Sequence, residues 1–183
     1  VPSLTVRTAT DYSRARPPAG APAPTVTVVN AGTNAGARPG GLRFGALVHA
    51  ILATVPLDAD SAQIERIAVQ QGRIVGALDE ENKAAGSLVT SVLAHPLILR
   101  AREALKRGYC RRETPITLLR DGVLIEGIVD LAFREDGAWT VIDFKTDHEM
   151  AGDLPAYKRQ VGLYAETVSA ATGARADAIL MRL

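Results

Sequence analysis

Residues 124–147, LIEGIVDLAFREDGAWTVIDFKTD, constrain the fold more than any other stretch, because they read as two strand-like runs joined by Asp136-Gly137. An Asp-Gly pair between such runs marks a two-residue hairpin loop, whose central positions take positive φ. With that loop Glu135 pairs with Ala138, and counting outward brings Asp130 opposite Asp143. Opposed side chains on one sheet face stand roughly 4.5 to 5.5 Å apart at Cβ, where like charges are destabilising. A divalent cation offsets that cost, since Mg2+ and Mn2+ favour carboxylate, carbonyl and water oxygens. Lys145 lies two residues past Asp143, so alternation sends its ammonium to the same face and turns Phe144 away.

A second turn signal, Asp121-Gly122, separates the runs 113–119 and 123–133. The same count pairs Arg120 with Val123 and, further out, Glu113 with Asp130. Three acids, Glu113, Asp130 and Asp143, then form a row across three antiparallel strands. A β-bulge in any of these strands breaks that register. Taken singly, each residue also has a structural reading: Asp130 or Asp143 as half of an ion pair with Lys145, and His49 as a satisfied core histidine.

A chain of 183 residues with 47% hydrophobic and 22% charged residues suits one well-filled domain. Its net charge of +1 says little about partners, so a nucleic-acid surface has to come from local clustering. The single Cys110 excludes an intrachain disulfide and a four-cysteine zinc or iron–sulfur site, which fits a cytoplasmic protein. No apolar run reaches the roughly 20 residues of a membrane span, no signal-peptide pattern opens the chain, and a first residue of Val suggests a piece of a longer protein.

Residues 1–40 hold six of the ten prolines and read as a Pro/Gly-rich linker or extended arm, with one short strand at 25–29. From 42 to 55 the apolar residues Phe44, Leu47, Val48, Ile51, Leu52 and Val55 follow helical spacing. His49 lies at the edge of that stripe, one turn after Gly45, whose missing side chain leaves room beside the imidazole. Residues 61–78, 80–93 and 97–106 read as further helices, followed by the basic group Arg100, Arg102, Lys106, Arg107, Arg111 and Arg112. That group is either a solvated face or a phosphate-tracking surface for DNA. Asp147 and His148 read as loop residues. A helix then covers 155–172, with Gln160 and Tyr164 four apart on one face, and a strand covers 176–183.

In order along the chain stand Gly45-Ala-Leu-Val-His49, Gly127-Ile-Val-Asp130, Asp143-Phe-Lys145 and Gln160-Val-Gly-Leu-Tyr164. This succession over residues 41–183 resembles the RecB-like branch of the PD-(D/E)XK nucleases, domains found at the C-terminus of bacterial helicase–nucleases such as RecB and AddA. The resemblance implies an α/β restriction-endonuclease-like core: a central mixed sheet with antiparallel hairpins, flanked by helices and preceded by a helical segment. It implies that His49, Asp130, Asp143, the Phe144 backbone carbonyl and, more loosely, Glu113 hold Mg2+ or Mn2+. By the same resemblance Lys145 orients or helps deprotonate the attacking water, and Gln160 and Tyr164 steady the DNA strand. The implied activity is DNA cleavage in double-strand-break repair and recombination. The implied partners are DNA, helicase domains of the same chain and a second helicase–nuclease subunit, in the bacterial cytoplasm. A catalytically idle, DNA-binding or scaffolding relative is the alternative. Iron–sulfur-containing relatives need several cysteines, so no such cluster is expected here.

Overall fold

Both Asp-Gly dipeptides form the tight turns expected of them: Asp121 and Asp136 hold φ of 50° and 49°, Gly122 and Gly137 φ of 75° and 82°. Positive φ at both central positions matches the turn to the twist of the flanking strands. Residues 5–15, 24–31 and 39–183 are described by the structure, a computed structural model. Among them run β1 (Thr5–Thr8), α1 (Ala9–Arg14), β2 (Val26–Asn30), α2 (Leu42–Thr54), α3 (Ser61–Val75), α4 (Asp79–Leu93), α5 (Pro96–Lys106), β3 (Cys110–Arg120), β4 (Val123–Glu135), β5 (Ala138–Lys145), α6 (Asp147–Thr172) and β6 (Ala176–Arg182). None of the helices is by itself long and apolar enough to cross a membrane.

The strands form one mixed sheet of six, with β3–β4 and β4–β5 antiparallel and the β5–β6, β6–β2 and β1–β4 pairs parallel. Helices cover both faces, as the α/β reading requires. On one face Phe133, Ile142, Phe144 and Met181 pack against α2, α4 and α5 through residues such as Leu47, Ile51, Val89 and Ile98. On the other, Val129, Ala132, Val141 and Leu180 pack against Val161 and Tyr164 of α6.

The register is the one counted from the turns, Arg120 with Val123 and Glu135 with Ala138, and no residue is inserted as far as Cys110 with Phe133. One detail departs from a plain ladder. On β4, Ile125 and Val129 pack in the α6 core, while Leu131 and Phe133, also odd-numbered, pack in the opposite one. The strand therefore turns its faces over at Asp130. Beside it on β3, Glu113 takes φ of 45°, an uncommon conformation for a residue with a side chain. Both strands twist at the same level, so pairing survives while the faces exchange.

This twist sits at a fork. β3 occupies one edge of β4 from Val123 to Phe133, so β1 and β5 must share the other. β1 takes Val123–Glu126, β5 takes 131–135, and the edge between them opens at 127–130. Gly127 is needed there, because an added Cβ would lie 2.7 Å from the Tyr164 ring and 3.1 Å from the Ala9 side chain.

Two expectations are corrected. Within 1–40, read as a linker or arm with one strand at 25–29, that strand is β2 and pairs with β6, whereas β1 and α1 were not expected; β1 extends the fork through backbone bonds that do not depend on apolar side chains. Residues 1–4, 16–23 and 32–38 of the expected arm lie outside the described residues. Asp147 and His148, read as loop, belong to the first turn of α6. That helix is interrupted at Asp153, with φ of −160° and ψ of 62°, ahead of Pro155. The Asp153 carboxylate then accepts the Ala156 N–H at 3.1 Å and starts the second segment afresh.

Candidate active site

Beside the opened edge of β4 lies a cavity of about 360 Å³, walled by Gly41, Leu42, Gly45, Ala46 and His49 of the α2 region, Ile128 and Asp130 of β4, Asp143, Lys145 and Thr146 at the end of β5, and Glu149 and Gln160 of α6. Larger openings against α3 and α4 and beside Pro24 gather no comparable set of titratable groups.

The ladder between β4 and β5 ends at Leu131 and Ile142. Beyond it the Asp130 carboxylate replaces a strand acceptor, receiving the Phe144 N–H at 2.8 Å. Asp143 is almost wholly buried. Lys145 Nζ lies 2.9 Å from its Oδ2 and donates to the Phe144 carbonyl at 3.1 Å. This salt bridge is the contact that holds the buried Asp143 Oδ2. Lys145 also stands over the Tyr157 ring, 5.2 Å from its centroid.

Burial pushes both aspartic carboxyls above their usual range, against the pull of Lys145 and His49 on each, with the Asp130 charge raising Asp143 further and the Glu113 charge raising Asp130. For Lys145 burial pulls the other way, yet the Asp143 and Asp130 charges outweigh it and keep the ammonium protonated. Burial also lowers His49, but Glu149 and Asp130 more than compensate, and its value rises.

Of the residues expected from the sequence, His49, Asp130, Asp143, Lys145 and Gln160 meet at this cavity. Tyr164 lies behind Gln160, whose amide donates to the Tyr164 hydroxyl at 2.7 Å. Glu113 is not among the walls, although its carboxyl is raised by burial and feels His49. Arg112, expected at a DNA surface, is instead turned inward and donates to the carbonyls of Leu52 and Val55, closing the C-terminal end of α2. Arg111 bonds the Gly108 and Cys110 carbonyls, Lys106 pairs with Glu103 at 2.7 Å, and Arg107 donates to the Glu103 carbonyl. Each is tied locally, which favours the solvated-face reading.

Glu149 was not anticipated. Its Oε2 accepts both the N–H and the hydroxyl of Thr146, each at 2.7 Å, and lies 3.5 Å from His49 Nε2. The signal was present as Thr146-x-x-Glu149, a capping pattern placed directly after Asp143-x-Lys145.

A sequence profile described as the PD-(D/E)XK nuclease superfamily matches residues 29–183. The chain belongs to the PD-(D/E)XK nuclease superfamily. The curated proteins contain no match. Among solved structures, the crystal structure of SSO0001 is similar at 18% identity with a TM-score of 0.26, over 68% of this chain and 65% of that one. The chain thus spans just under two thirds of the length of that protein.

PD-(D/E)XK nucleases use divalent metals, and the donors here fit such an ion. Asp130 and Asp143 offer hard carboxylate oxygens, and His49 adds an imidazole whose buried Nε2 makes no hydrogen bond and lies 3.5 Å from Glu149 Oε2. As the side chains stand, no three His, Cys, Asp or Glu groups among the described residues close on a single point. The Lys145 ammonium occupies the acceptors instead, on Asp143 and on the Phe144 carbonyl.

Proposed function

We propose that this domain is a divalent-metal-dependent DNA nuclease, the C-terminal part of a RecB- or AddA-like helicase–nuclease that acts on broken DNA in the bacterial cytoplasm. Support for cleavage comes from one observation above all: two buried aspartates and a lysine from adjoining strands meet at one open cavity. Support for the helicase parent comes from the succession of Gly45/His49, Gly127/Asp130, Asp143/Lys145 and Gln160/Tyr164, and DNA, the helicase domains and a second subunit follow as partners.

Asp130, Asp143, the Phe144 carbonyl and His49 would hold Mg2+ or Mn2+. When bound, the ion supplies a Lewis acid for the scissile phosphate and lowers the pKa of the attacking water. Lys145, kept protonated by its acidic neighbours, donates from Nζ to the negative charge that grows on the phosphate oxygens. Gln160, fixed by Tyr164, presents its remaining amide groups to the strand at the cavity wall.

The purified domain is expected to degrade linear single-stranded DNA with Mg2+ or Mn2+, and Asp143→Ala to lower the rate by about a thousandfold, the scale of losing a principal electrostatic contact. An Asp143→Ala rate equal to wild type rejects the site. A wild-type protein that binds DNA but cuts none with either ion supports the idle, scaffolding alternative.

A further inference from the structure

The start of α6 does more than begin a helix. Thr146 follows Lys145 directly, and its N–H and hydroxyl both bind Glu149 Oε2 at 2.7 Å. The carboxylate is therefore fixed to the same piece of chain that carries Asp143 and Lys145. On the facing helix α2, an added Cβ at Gly45 would lie 3.4 Å from Thr146 Oγ1, so the α2 backbone rests against the cap. One helical turn later on the same face, His49 Nε2 lies 3.5 Å from Glu149 Oε2. Two contacts a turn apart on α2 thus meet the two capping residues of α6.

We propose that Glu149 is a positioning residue: its cap-anchored carboxylate stations the His49 imidazole at the cavity, locking α2 to the strand end that bears the acids. The inference rests on the metal-dependent reading of that cavity. Two rotatable bonds separate the imidazole from α2, and among the acids that it feels, Asp130, Glu113 and Glu149, the carboxylate of Glu149 lies 3.5 Å from its Nε2. The carboxyl of Glu149 is held down at about 2, against burial, by His49 and Thr146, so it is charged throughout the working range. With Glu149 at Nε2 the other ring nitrogen, Nδ1, is left for an ion, and carboxylates that orient an imidazole ligand in this way typically matter 10- to 100-fold in metal affinity.

Glu149→Gln tests this, because an amide still accepts the Thr146 N–H but carries no charge. In the metal-free protein at fixed pH, Glu149→Gln is expected to shift the His49 ring resonances in the NMR spectrum, while Glu81→Gln, at the same position in helix α4, leaves them in place. Mn2+ affinity is expected to fall about 10- to 100-fold in Glu149→Gln, by a similar factor in His49→Ala, and no further in the double variant. Unmoved His49 resonances in Glu149→Gln, or losses that multiply in the double variant, overturn the proposal. Mn2+ affinity unchanged by Asp143→Asn overturns the metal reading beneath it, and the His49 resonances still decide whether Glu149 orients the ring.

Discussion

Helices α4 and α6 begin in the same way. In each a glutamate in the first turn reaches back to the backbone N–H before the helix, Glu81 to Leu78 and Glu149 to Thr146, both at 2.7 Å. Each glutamate then meets a basic side chain from α2: Arg43 grips Glu81 with two nitrogens, and His49 faces Glu149. The surroundings differ. Arg43 is half exposed, and its pair joins α2 to α4 without lining the cavity of the acids. The other pair borders the cavity of Asp130 and Asp143 and follows a strand that ends in Lys145. A helix cap is thus a local device of stability, and it becomes part of a reactive site only through what the preceding strand and the facing helix bring to it.

The contrast can be broken most forcefully at Lys145. Lys145→Ala should lower DNA cleavage about 100- to 1000-fold, whereas Glu81→Gln should leave the rate per folded molecule at the wild-type value. Equal rates in both variants would remove the distinction between the two helix starts.

Next come the glycines that let each helix approach. Gly72 of α3 faces Asn82, one residue after Glu81, and an added Cβ would lie 1.8 Å from its Oδ1. Gly72→Ala should therefore cost about 1–3 kcal/mol in chemical denaturation without altering cleavage by the folded fraction.

A smaller effect separates the pairs by pH. Glu81 is lowered in the folded protein, by the Leu78 N–H first and Arg43 next, and Glu149 is lowered to about 2. Both contributions are complete above the unfolded carboxyl value and fade as pH falls through the folded one. His49 is raised, so its contribution is complete below 6.5 and fades as pH climbs past its folded value. In double-mutant cycles on thermal stability, the Arg43–Glu81 coupling should weaken only in acid and the His49–Glu149 coupling in acid and in alkali. Loss of His49–Glu149 coupling on the acid side alone would show that the imidazole does not carry the charge.

The smallest change is expected for Gly45→Ala, where 3.4 Å to Thr146 Oγ1 is an ordinary contact. Stability should stay within about 1 kcal/mol of wild type, because alanine's better helix propensity offsets slight crowding.

The hairpin was legible in the sequence because turn chemistry fixes register, and register fixes which acids are neighbours. The count from Asp136-Gly137 set Asp130 opposite Asp143; the ladder stops one pair short of them, at Leu131 and Ile142, where the Asp130 carboxylate takes the Phe144 N–H, and both aspartates line one cavity. What the letters did not carry was the turnover of faces at Asp130 and Glu113: strand alternation assumes an unbroken pleat, and neither residue type announces a backbone twist. Arg112 was misplaced for a related reason. A run of basic residues has the same composition whether it meets solvent or closes a helix end, and only the packing of β3 under α2 decides. Edge strand β1 was obscured, since edge pairing needs backbone groups rather than a patterned apolar face, whereas β2 was legible in the run TVTVV at 25–29. Glu149 went unrecognised because one carboxylate serves as cap and as neighbour of His49, and the capping pattern fully accounts for it in one dimension.

A crystal of the intact domain soaked in Mn2+, read from anomalous scattering, tests the central claim most directly. The account predicts a peak between the carboxylates of Asp130 and Asp143, within reach of the Phe144 carbonyl, with the Lys145 ammonium drawn off that oxygen. Clear density for both aspartates with Lys145 still paired to Asp143 and no peak in the cavity would contradict it.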